Sequence, residues 1–327
     1  MKRIILDTDI GTDVDDVLAL CLVAASDEFQ VEGVTTVHAD APLRARIGRR
    51  VLQLAGRPEI PVIAGASLPL QMPLPENFHW KPKLRGHEGV GILDSKALEP
   101  TKDLQATADD GAKFIINRAT AYPGELSLIT IGPLTNIGRA LQLQPKLANL
   151  ICGVTLMGGV LDTERFPWPP MFEVNLNSDP LASQLLFQSG IPITIVPMEV
   201  TTQVFLTAQQ REAMRAWQQP LSEVLVVAME QMEQSFADFS REVGVSGDFF
   251  QGRTYMHDPL AVYTSMACEL VTVRRIHVQL EILDRVVRTI AYPDRVPNVQ
   301  VCVDVQAREF VDFWLHRIRN LVMRAVA

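Results

Sequence analysis

Apolar and polar positions alternate along this chain with the rhythm of strands and helices in turn. Arg3-Ile-Ile-Leu6 is a short apolar run that reads as a buried strand. Val17-Leu-Ala-Leu-Cys-Leu-Val-Ala-Ala25 is too long and too rich in Ala and Leu for a strand, so it predicts a helix. Val31–Val37 predicts a second strand ending at His38-Ala-Asp40, the stretch through Arg44 to Leu54 a helix, and Pro61-Val-Ile-Ala64 a short strand. Such alternation is the mark of a parallel sheet with crossover helices. Farther on, Thr107–Tyr122 reads as a helix and Leu126–Ile131 as a strand that turns through Gly132-Pro-Leu-Thr-Asn136 into another helix. Ile151–Met157 and Ile191–Val196 read as strands on either side of a helix over Leu181–Gln188.

The stretch from Thr207 to Phe239 is helical with an interruption near Pro220. Leu221, Leu225, Ala228, Met232, Phe236 and Phe239 recur there at helical spacing, a stripe that reads as core. His257-Asp-Pro259 opens a further helix, since proline suits a first turn. Val271–Leu280, Val286–Ala291 and Val299–Val305 read as strands, the last at a hairpin or sheet edge. Phe310, Phe313, Trp314, Ile318 and Leu321 mark a closing helix. Three irregular stretches break the rhythm: residues 65–105, with Arg85-Gly-His-Glu-Gly-Val-Gly91; Leu161–Pro170, with Trp168 between prolines; and Gly244–Tyr255. Long loops inside a compact domain are usually functional or disordered. With no internal repeat and no linker composition, residues 1–327 read as a single α/β domain around a mostly parallel, Rossmann-like open sheet.

Composition narrows the function classes. The 327 residues are 47% hydrophobic, enough for a large core, and the net charge of -8 argues against a nucleic-acid surface. No apolar run of the roughly eighteen residues that a membrane helix needs is present, and no signal-peptide pattern opens the chain. Cys21, Cys152, Cys268 and Cys302 are widely spaced in apolar surroundings and read as buried thiols. A cytoplasmic location is expected.

The chemistry concentrates where the first strand meets the first helix. Asp7-Thr-Asp-Ile-Gly-Thr-Asp-Val-Asp-Asp16 carries five carboxylates, at positions 7, 9, 13, 15 and 16. In an open α/β sheet this strand end is where ligands bind. Asp13 is placed to cap the helix, whose N-terminus offsets one or two negative charges but not five. The cluster therefore calls for a cation, and an all-oxygen donor set suits Ca²⁺ or Mg²⁺ rather than zinc. A solvated acidic turn is the plainer alternative. The spacing does not fit an EF-hand, because Gly11 is fifth from Asp7 and Leu18 is twelfth. Other polar groups follow strands on the same edge: Asp40, Ile131-Gly132, Met157, Glu173 with Asn175, and His257-Asp258. Asp258 is either a helix cap or a further oxygen ligand beside Asp9 and Asp16. His257 is of the type that titrates near neutrality. Glu173 and Asn175, two apart on an extended segment, are placed to bond a sugar or to form a surface strand face.

Together these residues resemble the inosine–uridine-preferring nucleoside hydrolases. The matching pieces are Asp7–Asp16, Thr35-Thr-Val37, Gly132–Asn136, Leu156-Met-Gly-Gly159, Glu173-Val-Asn175 with Asp179-Pro180, and His257-Asp-Pro259, in family order. The resemblance implies hydrolysis of the N-glycosidic bond of ribonucleosides to free base and ribose, in nucleoside catabolism and salvage. It implies a Ca²⁺ ion held by Asp9, Asp16, Asp258 and the Ile131 carbonyl, with Asp15 as the base that activates water and His257 at the leaving base. It implies ribose contacts from Glu173, Asn175 and Asp258, with Met157 lining the pocket and Asp40 among the substrate-binding residues. Asp7 and Asp13 would support, and Arg85 and His87 lie in the segment that corresponds to a family His-Gly-Glu. It also implies a small-molecule nucleoside partner and a homo-oligomer, dimer or tetramer. The chain departs from the family in a longer spacing from Gly11 to Asp15-Asp16, in Asp40 where Asn is common, in Arg85 for a histidine, and in Phe166-Pro-Trp-Pro-Pro170. Two other readings bear comparison. A nucleoside- or sugar-binding protein without turnover would explain the departures. A haloacid dehalogenase-like Mg²⁺ phosphatase would use Asp7-Thr-Asp-Ile-Gly-Thr12, but lacks its downstream partners here and leaves His257-Asp258 unexplained.

Overall fold

Strand β1 (Lys2–Thr8) runs through the middle of the molecule, and its side chains alternate between two cores. Ile4 and Leu6 pack into one cluster with helix α1 (Asp15–Ala24), while Ile5 joins the other. In a computed structural model of the protein, residues 1–327 are described except 75, 77, 167–172, 244–250, 268, 284–285 and 325–327, together with the side chains of 236 and 238–243. The Trp168 stretch, most of the Gly244–Tyr255 loop, Phe236, Phe239 and Cys268 lie outside the described residues.

From β1 and α1 the chain continues through β2 (Phe29–Thr36), α2 (Ala41–Leu54), β3 (Val62–Ala64) and, after the long irregular stretch, α3 (Asp110–Ala121). Then come β4 (Leu126–Thr130), α4 (Thr135–Leu143), a 3-10 turn (Pro145–Asn149), β5 (Ile151–Met157), α5 (Pro180–Gln188), β6 (Ile193–Val196) and α6 (Met198–Thr201). The last third adds β7 (Phe205–Thr207), α7 (Ala208–Arg215), α8 (Pro220–Val243), β8 (Arg253–Tyr255), α9 (His257–Met266), β9 (Val271–Ile276), β10 (Val278–Leu283), β11 (Val286–Ala291), β12 (Val299–Val305) and α10 (Ala307–Arg324).

The main sheet has eight strands in the order β3-β2-β1-β4-β5-β6-β12-β9. Every neighbouring pair is parallel except β12 with β9. The chain steps outward from β1 to β2 and β3, then returns to lay β4 on the other flank. The carboxyl ends of β1 and β4 thus form the switch point of the sheet, the place where open α/β sheets bind ligands.

The expected strands and helices recur with shifted ends, and four expectations need correction. The strand-like segment Val271–Leu280 divides at His277, and its halves join different sheets: β9 pairs β12, whereas β10 forms an antiparallel ribbon with β11. Strand β12 is no edge, since it lies between β6 and β9. Residues 253–255, read as loop, are strand β8 and pair with β7. Cys152 is exposed, whereas Cys21 and Cys302 are buried. In α8, Leu221, Leu225 and Met232 are buried as the core stripe expected.

Candidate metal and substrate site

The turn after β1 and the first turns of α1 and α9 bring carboxylates together. Asp15, Asp16 and Asp258 each offer an oxygen within 4.8 Å of the others, and all three are buried. The Asp258 backbone N–H also donates to Asp15 Oδ2 at 3.4 Å, a contact between residues 243 positions apart. Asp258 is therefore inside the first turn of α9, not its cap, and Asp13 does not cap α1, whose N-cap is Val14. Thr8 Oγ1 donates to Asp16 Oδ1 and accepts from the Ile10 N–H at 3.1 Å, which ties the end of β1 to α1.

Burial is the main cause that raises the proton affinity of these acids, and mutual repulsion adds to it. Asp16 and Asp258 are pushed well above the usual carboxylate range by burial and then by Asp9 and Asp15 and by Asp15 and Asp16, respectively. Asp15 is raised by burial and by Asp13. Asp9 is raised to about 6 by burial, against the opposing pull of the Arg44 guanidinium. Asp13 Oδ1 is buried without a hydrogen-bond partner. Buried carboxylates this close are stable together only with protons or a cation. Their all-oxygen chemistry fits a hard divalent ion.

The other wall of the site follows β4 and β5. Gly132 lies directly against Asp9: a Cβ there would fall 2.7 Å from both the Asp9 backbone N and its Oδ1. Any side chain at position 132 would push Asp9 aside, so the Ile131-Gly132 end of β4 needs glycine. Asn175 Nδ2 donates to the carbonyls of Ile131 and Met157, each at 3.1 Å. Glu173 accepts from the Leu176 N–H at 3.0 Å and from Asn177 Nδ2 at 2.7 Å, and the Gly159 N–H also faces it. Its carboxyl is raised by burial, with these donors opposing. Ile131, Met157, Glu173 and Asn175 are thus one group, joined to the aspartates through Gly132.

His257 opens α9, with Nδ1 at 2.7 Å from Thr201 Oγ1 and its ring stacked on Tyr255. Burial pushes it down to about 4, so it is a neutral imidazole at pH 7 and does not titrate there as its type suggested. On the same short α6 as Thr201, buried Glu199 accepts from the backbone N–H of Leu161 and of Asp162, each at 3.3 Å. Burial, followed by Asp162, raises it to about 7.

The remaining sequence candidates make other contacts. Asp40 caps α2 by accepting from the Leu43 N–H at 2.8 Å, and its second oxygen accepts from the Thr101 N–H at 2.7 Å. Asp7 accepts from Thr35 Oγ1 and Asn136 Nδ2 at Oδ1 alone, its Oδ2 is buried without a hydrogen-bond partner, and burial raises it to about 7. The Arg85 and Gly86 backbone N–H groups donate to Glu88, and His87 Nε2 is 2.7 Å from the Thr12 carbonyl oxygen, so this segment braces the aspartate loop from outside. Sequence reasoning passed over Arg44, Thr201 and Asn177. Arg44 had one signal: on α2 it shares a face with Ile47, Gly48 and Val51.

The model of the inosine-uridine preferring nucleoside hydrolases matches residues 4–312. The chain belongs to this family. Among relatives of this nucleoside hydrolase, an uncharacterized protein of Schizosaccharomyces pombe is 32% identical over 282 residues, covering 85% of this chain and 84% of its own. The pyrimidine-specific ribonucleoside hydrolase RihA of Salmonella schwarzengrund is 28% identical, covering 97% and 98%. Among solved structures, a purine-preferring ribonucleoside hydrolase from Gardnerella vaginalis superposes with a TM-score of 0.77 at 27% identity, over 100% of both chains. The fold is that of the nucleoside hydrolases, and the protein is a hydrolase acting on the N-glycosyl bond of ribonucleosides. Among the described residues, no helix is long and apolar enough to cross a membrane.

Proposed function

We propose that this nucleoside hydrolase uses Ca²⁺, held by Asp9, Asp16, Asp258 and the Ile131 carbonyl, to release base and ribose, with Asp15 as general base. The observation that carries this is the buried triad of Asp15, Asp16 and Asp258 at the switch point of the sheet. When bound, such an ion supplies positive charge that orients substrate hydroxyls and a water.

The protein groups divide the remaining work. Asp15 takes the proton of the water that attacks C1′. The bond that breaks joins C1′ to the base nitrogen, through an oxocarbenium-like transition state. Negative carboxylates around the sugar stabilise the charge that develops there. Glu173 and Asn175 hold the ribose, and Met157 packs at its edge. Pinned by their neighbours, they lose little freedom on binding. His257, kept at Nδ1 by Thr201 and neutral at pH 7, acts at the departing base as a hydrogen-bonding imidazole.

Asp15 admits a second role, because its oxygen lies within ligand distance of Asp16 and Asp258. In that case Asp9, outside the triad, would not be needed on the ion.

The test is release of free base and ribose from purine and pyrimidine nucleosides, both classes being represented among the relatives, with and without a Ca²⁺ chelator. Chelator-sensitive release supports the proposal. Tight nucleoside binding without release would make the chain a binding protein, and phosphate release from phosphomonoesters with nucleosides inert would make it a phosphatase.

A further inference from the structure

Arg44 is among the largest side chains fully shut off from solvent. Burying a guanidinium is costly unless its donors are met. Here they are met by one turn and its neighbour. Nε donates to the His38 carbonyl at 2.8 Å. Nη1 donates to the carbonyls of Asp9 and, at 3.1 Å, Ile10. Nη2 donates to Thr12 Oγ1 at 3.0 Å, and Thr12 Oγ1 in turn donates to Glu88 Oε1 at 3.1 Å. The backbone bends to allow this, with φ of 73° at His38 and 56° at Ala39, a conformation that non-glycine residues rarely adopt. A planar fork can serve these acceptors at once, whereas a lysine ammonium on a single stem reaches fewer of them.

We infer that Arg44 is a positioning residue for the cation site. It fixes the Asp9–Thr12 turn by its main chain, and so sets where the Asp9 carboxylate stands against Gly132 and how the longer loop delivers Asp15 and Asp16 to Asp258. The inference rests on the reading of these carboxylates as a metal site. Groups that orient metal ligands typically change metal affinity by about 10–100-fold when removed.

The experiment titrates CaCl₂ calorimetrically into the chelator-treated full-length chain and its variants, with melting by circular dichroism in chelator as the separate measure of structural cost. Arg44→Met is expected to weaken Ca²⁺ binding by about 10–100-fold. Arg44→Lys, which keeps the charge but not the fork, is expected to weaken it about tenfold. Arg49→Met is the control: Arg49 lies on the same helix and donates to the Val62 carbonyl at 3.0 Å, so it lowers the melting temperature but leaves Ca²⁺ affinity at the parental value. Parental affinity in folded Arg44→Met or Arg44→Lys overturns the inference, and so does equal weakening in Arg49→Met. Should neither Arg44 variant fold, Thr12→Val, which removes one acceptor at a half-buried position, decides it by weakened or unchanged affinity. Absence of Ca²⁺ binding by the parental chain would instead overturn the metal reading itself, a result distinct from failure of the clamp.

Discussion

The two walls of the site satisfy their polar atoms in opposite ways. On the β5 wall, the carboxylate of Glu173 meets the N–H groups of Leu176 and Gly159 and the amide of Asn177, while Asn175 is held by two carbonyls. On the β1 wall, Asp15, Asp16 and Asp258 face mainly one another, and Asp13 Oδ1 has no partner. The first wall is complete as a protein structure. The second is complete only with something of opposite charge. Residue type alone does not decide which carboxylates await a ligand; the surrounding donors do. Asp40 makes the point, since it is a carboxylate as buried as Asp16, yet both of its oxygens are spent on backbone N–H groups.

The contrast can be broken most sharply at Asp16 and Asp258. Asp16→Asn and Asp258→Asn are expected to lose Ca²⁺ and turnover together, measured by calorimetry and by base release. With chelator present, the same variants should melt above the parental chain, because each removes a buried charge from a repulsive cluster. A fall in their chelated melting temperature would show that the crowding is already relieved by the protein. Asp15→Asn is expected to lower turnover by about 10²–10⁴-fold with Ca²⁺ affinity retained. If Ca²⁺ is lost with the turnover, Asp15 is a ligand, as its distance to the other two also permits.

On the other wall the sign reverses. Glu173→Gln places an NH₂ among donors, and should destabilise the chain by about 1–3 kcal/mol whether or not Ca²⁺ is present, read from denaturant melts. A comparable effect, seen only as the pH changes, is expected at Glu199 on α6. Its carboxyl is raised to about 7 in the fold from the ordinary 4.5, so the folded form binds the proton more tightly than the unfolded chain. That contribution to stability is whole below pH 4.5 and declines as the pH rises through about 7. Parental stability should therefore fall relative to Glu199→Gln across that window, by on the order of 1–3 kcal/mol. A pH-independent difference between the two would mean that Glu199 does not titrate there.

The alternation of apolar runs was enough to read the parallel sheet, and the acidic turn after the first strand was legible because strand, turn and helix are contiguous. Features formed between distant segments were not. The pairing of Phe205–Thr207 with Arg253–Tyr255 has no local mark beyond three extended residues on each side. The break at His277 falls inside a strand-like segment with neither glycine nor proline to announce it. Asp13 reads as a cap by type, yet the helix starts one residue beyond Val14. Arg44 looks like one more charged residue of an arginine-rich helix until its acceptors in the Asp9–Thr12 turn, 32 to 35 positions away, are in place. At the site, the residue types were legible, while the partners that decide their charge states were not.

The separation of Asp258 from the loop it faces has a kinetic consequence. β1 is made first, but its two flanks close at different times: Asp7 registers with Thr35 on one side and with Thr130 on the other. Contacts across such long stretches of chain form slowly. Asp258 must then travel back over 243 residues to meet Asp15. The acidic loop is consequently synthesised long before its last carboxylate partner. With the ligand set proposed above, an ion cannot template the early collapse, because that set does not exist until α9 docks. Ion uptake on that set is a late event that reports a finished fold, and variants that lose the ion alone should still fold at nearly the parental rate.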